Sequence, residues 1–235
     1  MVQRLLLAND LPGVGKVALA TSIPIAAVCQ VETMLLPTVL LSSHTGGFPD
    51  VVIEDMTDLN RAYFRQWKKL NVKVAGILSG YCRNPQQLRQ LAMYAKQTET
   101  PLIVDPIMGD SGRLYTGFTS FYVEAMKELT QSAKLILPNL TEAALLTGRE
   151  YVGEHYDFSV IEDLLEALAK QVTADIVLTG ISFEDSQIGV AYFKQETGEI
   201  TTYLSKKYPA NVFGTGDILS TLFAVETIEH VNLPQ

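Results

Sequence analysis

The chain carries only two cysteines in 235 residues, Cys29 and Cys82, far apart and without CxxC spacing. That excludes a disulfide framework and a thiolate zinc site, and both are read as small core or loop residues. Basic residues are also scarce: 18 Lys plus Arg stand against 26 Asp plus Glu, a formal net charge of −8. A nucleic-acid binder needs a basic footprint, so no nucleic-acid partner is expected. No apolar run approaches the roughly 20 residues of a membrane-spanning helix, and the one after Arg4 is too short for the core of a secretion signal. A cytoplasmic protein without a membrane partner is the expectation. Internal repeats, low-complexity tracts and long linkers are also missing.

What is present is an ordinary globular composition, 47% hydrophobic and 19% charged, suited to a single domain over 1–235. Apolar runs predict strands near 5–8, 32–41, 72–78, 101–104, 134–137 and 176–178, with a loop over 9–15 after the first. Helices are predicted over 17–29, 58–70, 85–97 and 120–131. Pro24 should kink the first, and Asn84-Pro85 should open the third. Pro37 marks an edge or bend in the second strand. Leu59, Tyr63, Trp67 and Leu70 share one face of the second helix. Ile161, Leu164, Leu165 and Leu168 form a buried stripe behind a Ser159-Val160-Ile161-Glu162 capping box. Segments 189–193 and 199–204 alternate around Thr197-Gly198 like a hairpin. Strand followed by helix, with hairpin strands late, predicts an α/β fold: a three-layer α/β/α sandwich with a mostly parallel central sheet.

The stretch 212–228 is the most informative. Gly214-Thr215-Gly216 precedes Asp217, and Ile218, Leu219, Leu222, Phe223, Val225 and Ile228 sit almost all round the helix that follows. A glycine-rich first turn points backbone N–H groups and the positive end of the helix dipole at one spot, and lets a bulky anion approach. A carboxylate there would repel a phosphate unless it faces a hydroxyl that attacks it, which is the arrangement of phosphoryl transfer to an alcohol. The same residues also occur in ordinary glycine turns before buried helices, so other motifs have to decide.

Asp105 and Asp110, in Asp105-Pro106-Ile107-Met108-Gly109-Asp110, follow an apolar strand, where open α/β sheets bind ligands; turn aspartates are the alternative. In Pro138-Asn139-Leu140-Thr141-Glu142, Thr141 could cap the next helix, leaving Asn139 and Glu142 for magnesium or phosphate; capping suits those two as well. Ser42-Ser43-His44-Thr45-Gly46-Gly47-Phe48-Pro49 reads equally as a plain loop or as a flap over a ligand. His44 is assigned no chemistry. Gly13-Val14-Gly15-Lys16 fails as a P-loop, since Val17 replaces the Ser or Thr that holds magnesium, and is read as a substrate-side loop.

Taken in order, Ser43-His44-Thr45-Gly46, the Asp105–Asp110 run with Gly112-Arg113-Leu114-Tyr115, Asn139-Leu140-Thr141-Glu142 and Gly214-Thr215-Gly216-Asp217 resemble the ribokinase-like superfamily. The Met-Gly-Asp run with its Leu-Tyr, and the His-Thr-Gly of the flap, resemble its pyridoxal kinase family in particular. The likeness runs over about 4–228.

The resemblance implies an ATP-dependent kinase that phosphorylates the 5′-hydroxymethyl group of pyridoxal, pyridoxine and pyridoxamine. It implies Asp217 as the catalytic aspartate and Gly214, Thr215 and Gly216 as the anion hole. Asn139, Glu142, Asp110, Tyr115, Thr179 and Gly180 fall on the nucleotide side, with Asp105, Asp110 and Glu142 near Mg²⁺. Asp10, Thr45 and Tyr81 match positions around the pyridine ring. A flap near 42–50, a homodimer and a monovalent cation such as K⁺ belong to the same expectation.

Three departures stand out. Relatives of animal type carry Ser where this chain has Asp10, which could favour the amine-bearing vitamer. The tail after Asp217 is shorter than the family's, so adenine contacts are not assigned. No cysteine precedes Gly214, unlike some bifunctional relatives that phosphorylate the thiamin pyrimidine. Asp217 itself is expected to have a lowered pKa beside the helix dipole. The alternatives are a hydroxymethylpyrimidine kinase and a non-catalytic vitamin-binding protein on the same fold.

Overall fold

The computed structural model describes residues 3–153, 155–209 and 212–229. The chain divides into two compact units, one formed by Met1–Ile103 with Val212–Gln235 and the other by Val104–Asn211. The architecture is the expected mixed α/β fold with a large, mostly parallel sheet.

In the first unit the strands are β1 (Arg4–Pro12), β2 (Glu32–Leu41), β3 (Ile53–Asp55), β4 (Gly76–Ser79) and the start of β5 (Leu102–Val104), in the order β5-β4-β1-β2-β3. Leu5, Leu6, Leu7 and Ala8 of β1 are all buried, because β1 is central and pairs in parallel with β2 and β4. The strand does not stop at Ala8. It continues through Asn9 and Asp10 to Pro12, so the loop expected over 9–15 begins later. Polar Asn9 and Asp10 looked like a break, yet the ladder to β2 carries them. Opposite Asp10, Thr38 and Val39 of β2 occupy the space of one residue, a bulge just after Pro37, which has no N–H to give the ladder.

The helices of this unit are α1 (Leu19–Val28), α2 (Thr57–Lys69), α3 (Pro85–Thr98) and α7 (Thr215–Ile228). Pro24 lies inside α1, and Asn84 caps α3 by accepting the N–H of Gln87 ahead of Pro85 at the first turn. Two apolar faces differ from expectation. On α2 the buried residues are Thr57, Asn60 and Phe64, while Leu59 and Leu70 are exposed. Polar Asn60 and Thr57 face inward there, so apolarity alone selected the wrong stripe. On α7, Ser220, Thr221, Ala224, Val225 and Ile228 are buried, but Ile218 and Leu222 are exposed, so the helix is buried on one side.

The second unit contains the ribbon β6 (Gly109–Asp110) and β7 (Arg113–Leu114), helices α4 (Ser120–Thr130), α5 (Leu140–Thr147) and α6 (Phe158–Ala169), and the strand order β11-β10-β9-β8. β8 (Leu135–Ile136) is parallel to β9 (Asp175–Ile181), and β10 (Gln187–Lys194) and β11 (Glu199–Lys206) form the expected hairpin. Ile161, Leu164, Leu165 and Leu168 are buried as the spacing required. The Ser159 capping box is not formed. Asp157 is the N-cap, and Ser159 lies inside α6, since the helix starts two residues earlier than its sequence signal. Both cysteines are free, Cys82 buried and Cys29 half-buried.

Candidate active site

In the first unit the site forms where β1, the turn after β4 and the start of α7 end together. Gly214 is the N-cap of α7 with φ 86°, a left-handed conformation that favours glycine. A Cβ there would lie 2.3 Å from the carbonyl oxygen of Lys16, so the turn is pressed against the 13–18 loop. Gly216 differs: a Cβ added to it meets nothing within 4 Å, so space is open beside the helix N-terminus. The first-turn N–H groups of α7 have no carbonyl one turn earlier to accept them. They are donors of the kind an anion can take.

Asp217 lies in the first turn of this helix. Its Oδ1 accepts from Asn9 Nδ2 at 3.1 Å, and it also accepts the N–H of Ala18. Burial pushes its carboxyl above the ordinary value, while those donors pull it back. The lowered value expected from the helix dipole is therefore overturned, because desolvation of a half-buried carboxylate outweighs a dipole that acts through a single turn. Asp10 is more perturbed. It is 8% exposed, and burial plus the charge of Asp217 raise it to about 7.

The vitamin-side candidates divide. Asp10 and Tyr81 are drawn to one place by Asn9, whose Oδ1 accepts the N–H of Asp10 at 3.0 Å and that of Tyr81 at 2.8 Å. The Tyr81 carbonyl accepts from Thr38 Oγ1 at 2.6 Å, so this backbone is held at both ends. Thr45 is exposed in the 42–52 loop. That loop is organised by His44, whose ring lies 4.9 Å from both Phe48 and Phe213. Its N–H donates to Val14 at 2.9 Å, and its Nδ1 accepts from Gly46 at 3.2 Å. Asn9, Ala18 and His44 were missed as site residues. The one available signal was a polar Asn-Asp pair directly after an apolar strand, where α/β sheets bind ligands.

In the second unit Asn139 is the N-cap of α5 and forms a capping box with Glu142, so capping describes both side chains. Thr141 does not cap, because Asn139 already does; its Oγ1 accepts the N–H of Gly112 at 2.9 Å instead. Asn139 Nδ2 donates to the Gly109 carbonyl at 2.9 Å. The Glu142 carboxyl accepts from Asn139 at 2.9 Å and Met108 at 3.2 Å, and also from Gly109. Three side chains of one helix turn thus fix the 108–112 segment. Burial, followed by the charge of Asp105, pushes Glu142 well above the ordinary carboxylate range.

Asp105 is half-buried, while Asp110 is exposed and caps its own turn by accepting the Ser111 N–H at 2.7 Å. Tyr115 is tied through its N–H to Met108 at 2.9 Å. Thr179 donates to the Pro138 carbonyl at 2.8 Å and bridges Asn139, and Gly180 beside it has φ 74°. Among the described residues no group of three or more His, Cys, Asp or Glu is placed to hold a metal ion. Among them, too, no helix is long and apolar enough to cross a membrane.

The sequence model of the phosphomethylpyrimidine kinase family matches residues 27–235. Among solved structures, the chain is 34% identical to pyridoxal kinase from Lactobacillus plantarum, with a TM-score of 0.92, covering 100% of this chain and 83% of that one. A Bacteroides thetaiotaomicron protein provisionally named a phosphomethylpyrimidine kinase, in a crystal form with pyridoxal, is 28% identical with a TM-score of 0.92 and covers 100% and 83% of the two chains. The pyridoxal kinase of Sus scrofa is 26% identical over 178 residues, which is 66% of this chain and 53% of that protein. The chain spans 62%, 47% and 64% of the length of relatives from Saccharomyces cerevisiae, Caenorhabditis elegans and Schizosaccharomyces pombe.

Proposed function

The chain belongs to the phosphomethylpyrimidine kinase family, within the ribokinase-like superfamily that also holds the pyridoxal kinases, and from that premise we propose that it is an ATP-dependent kinase of vitamin B6. The acceptor is the 5′-hydroxymethyl group of pyridoxal, pyridoxine or pyridoxamine. One observation carries the reading: a half-buried carboxylate, Asp217, stands in the first turn of an open glycine-rich helix N-terminus.

The acceptor oxygen attacks the γ-phosphorus of ATP, the bond to the leaving ADP breaks, and the hydroxyl proton passes to the Asp217 carboxylate. Phosphoryl transfer asks for alignment and charge stabilisation more than covalent help. The N–H groups of Thr215 and Gly216 supply fixed donors, and Asp217 orients the hydroxyl before accepting its proton. Its burial makes it a better base than an exposed aspartate would be. On the nucleotide side we assign Asn139, Glu142, Asp110, Tyr115, Thr179 and Gly180. Asn139, Thr141 and Glu142 act through the 108–112 segment that they hold.

The donor set fits Mg²⁺. Asp105 and Asp110 offer hard oxygen ligands, of which Mg²⁺ takes one or two alongside water and substrate phosphates. When bound, the ion neutralises phosphate charge. A monovalent cation such as K⁺, homodimer assembly, a cytoplasmic location and a single catalytic domain over 1–235 complete the proposal. Sedimentation and activation by K⁺ check the assembly and the cation.

The Lactobacillus plantarum likeness favours B6 over the thiamin pyrimidine. ATP consumption with pyridoxal, pyridoxine, pyridoxamine and hydroxymethylpyrimidine, measured in parallel, tests the choice. Turnover restricted to B6 vitamers supports it. Turnover of the pyrimidine alone replaces the substrate, and no turnover at all returns the site to a binding function.

A further inference from the structure

Asn9 is 6% exposed and stands between three elements of the first unit. Its amide oxygen accepts two backbone N–H groups, from Asp10 at 3.0 Å and Tyr81 at 2.8 Å, and its amide nitrogen donates to Asp217 Oδ1 at 3.1 Å. An amide with two donors on its oxygen has one orientation, because turning it over would set N–H against N–H twice. The Nδ2 group must therefore point at Asp217. Space for it exists only because residue 80 lacks a side chain: a Cβ on Gly80 would lie 2.4 Å from Asn9 Nδ2.

We propose that Asn9 is the positioning residue of the reaction, fixing the plane of the Asp217 carboxylate and joining it to the backbone that carries Asp10 and Tyr81. The proposal rests on Asp217 as the proton acceptor assigned above. A carboxylate on a helix start has rotational freedom about its side-chain torsions, and one misplaced oxygen costs alignment with the acceptor hydroxyl. Asn9 removes that freedom from below. It also links ligand to base: movement of Tyr81 or Asp10 on ring binding is transmitted through a single rigid amide. Groups facing Asp217 are Asp10 from β1, which is titratable and neutral below about pH 7, and the N–H of Ala18 ahead of α1, which is not titratable. Asn9 contacts both Asp217 and the vitamin-side backbone with the same planar group.

The test uses Asn9→Asp and Asn9→Ala in the whole chain. Asn9→Asp keeps the shape and the acceptor for the two N–H groups but sets an oxygen against Asp217. Three readouts are taken: the titration midpoint of the Asp217 carboxyl by carbon-13 NMR, the pH profile of kcat, and KM for pyridoxal. In Asn9→Asp the Asp217 midpoint and the acid limb of kcat rise together. In both variants kcat falls about 10- to 100-fold, the scale of a lost hydrogen bond to a charged group, while KM changes less than about three-fold.

A purely structural role would lower the melting temperature without moving the midpoint or the acid limb, and that result overturns the proposal. An unmoved midpoint in a folded Asn9→Asp does the same. If wild type turns over no vitamer yet the midpoint rises in Asn9→Asp, the kinase reading fails while the Asn9–Asp217 linkage stands.

Discussion

Asp10 at the end of β1 lies within the field of Asp217 at the start of α7, and burial together with that charge holds Asp10 at about 7 against an ordinary 3.8. Two carboxylates share one polar corner. The folded chain therefore holds a proton on Asp10 over a range where the unfolded chain has lost it. Stability contributed by that proton is present below about pH 4 and is lost as pH rises towards about 7, by a few kcal/mol at most. Thermal melts at about pH 5 and about pH 8 should show wild type losing more stability than Asp10→Asn over that interval. Equal losses in the two proteins would mean that Asp10 is ionised throughout.

A carboxyl poised at about 7 ionises readily when a cation arrives. Pyridoxamine carries an amine at the ring's 4′ group, so Asp10→Ser should lower kcat/KM for pyridoxamine by about ten-fold relative to pyridoxine. Specificity constants for the three vitamers check this. An unchanged ranking would remove Asp10 from substrate selection.

Gly214 and Gly216 separate fold from chemistry. Gly214→Ala adds a Cβ 2.3 Å from the Lys16 carbonyl at φ 86°, and should cost about 1–3 kcal/mol of stability. Gly216→Ala meets no protein atom within 4 Å, so its melting temperature should stay close to wild type. On the proposed assignment of that space to the phosphoryl group, its turnover should still fall by roughly ten-fold or more. Full activity in Gly216→Ala would place the anion elsewhere.

Glu142 gives both oxygens to backbone N–H groups of the 108–109 segment and Asn139. Glu142→Gln replaces one acceptor by a donor that faces a donor, at a cost of about 1–3 kcal/mol. Urea unfolding measures that loss directly. A midpoint equal to wild type would mean that the segment holds itself.

Much of this was legible in the chain because it follows from local chemistry. The apolar run from Leu5 to Ala8 read as a strand, and Gly214 to Asp217 as the glycine-rich start of a helix. The 161–168 stripe and the hairpin around Gly198 followed from period alone. What was not legible depends on partners far away in sequence. Asn9 looked like the first residue of a loop, since nothing local reveals that its amide meets residues 81 and 217. Asp217 was expected to be acidic from its helix position, but its surroundings are set by β1 and the 13–18 loop. Thr141 and Glu142 both fit a cap by residue type, and only the 108–112 segment packed above them decides which N–H each receives. The exposed Leu59 shows the same limit on α2, where polar Asn60 takes the inward position.

The most direct measurement is turnover of pyridoxal by Asp217→Asn, alongside vitamer binding to the same variant. The amide keeps the shape and loses the proton acceptor. Turnover should fall by roughly 10²-fold or more with the dissociation constant of the vitamer nearly unchanged. Turnover close to wild type with intact binding would contradict the assignment of Asp217 as the group that takes the proton.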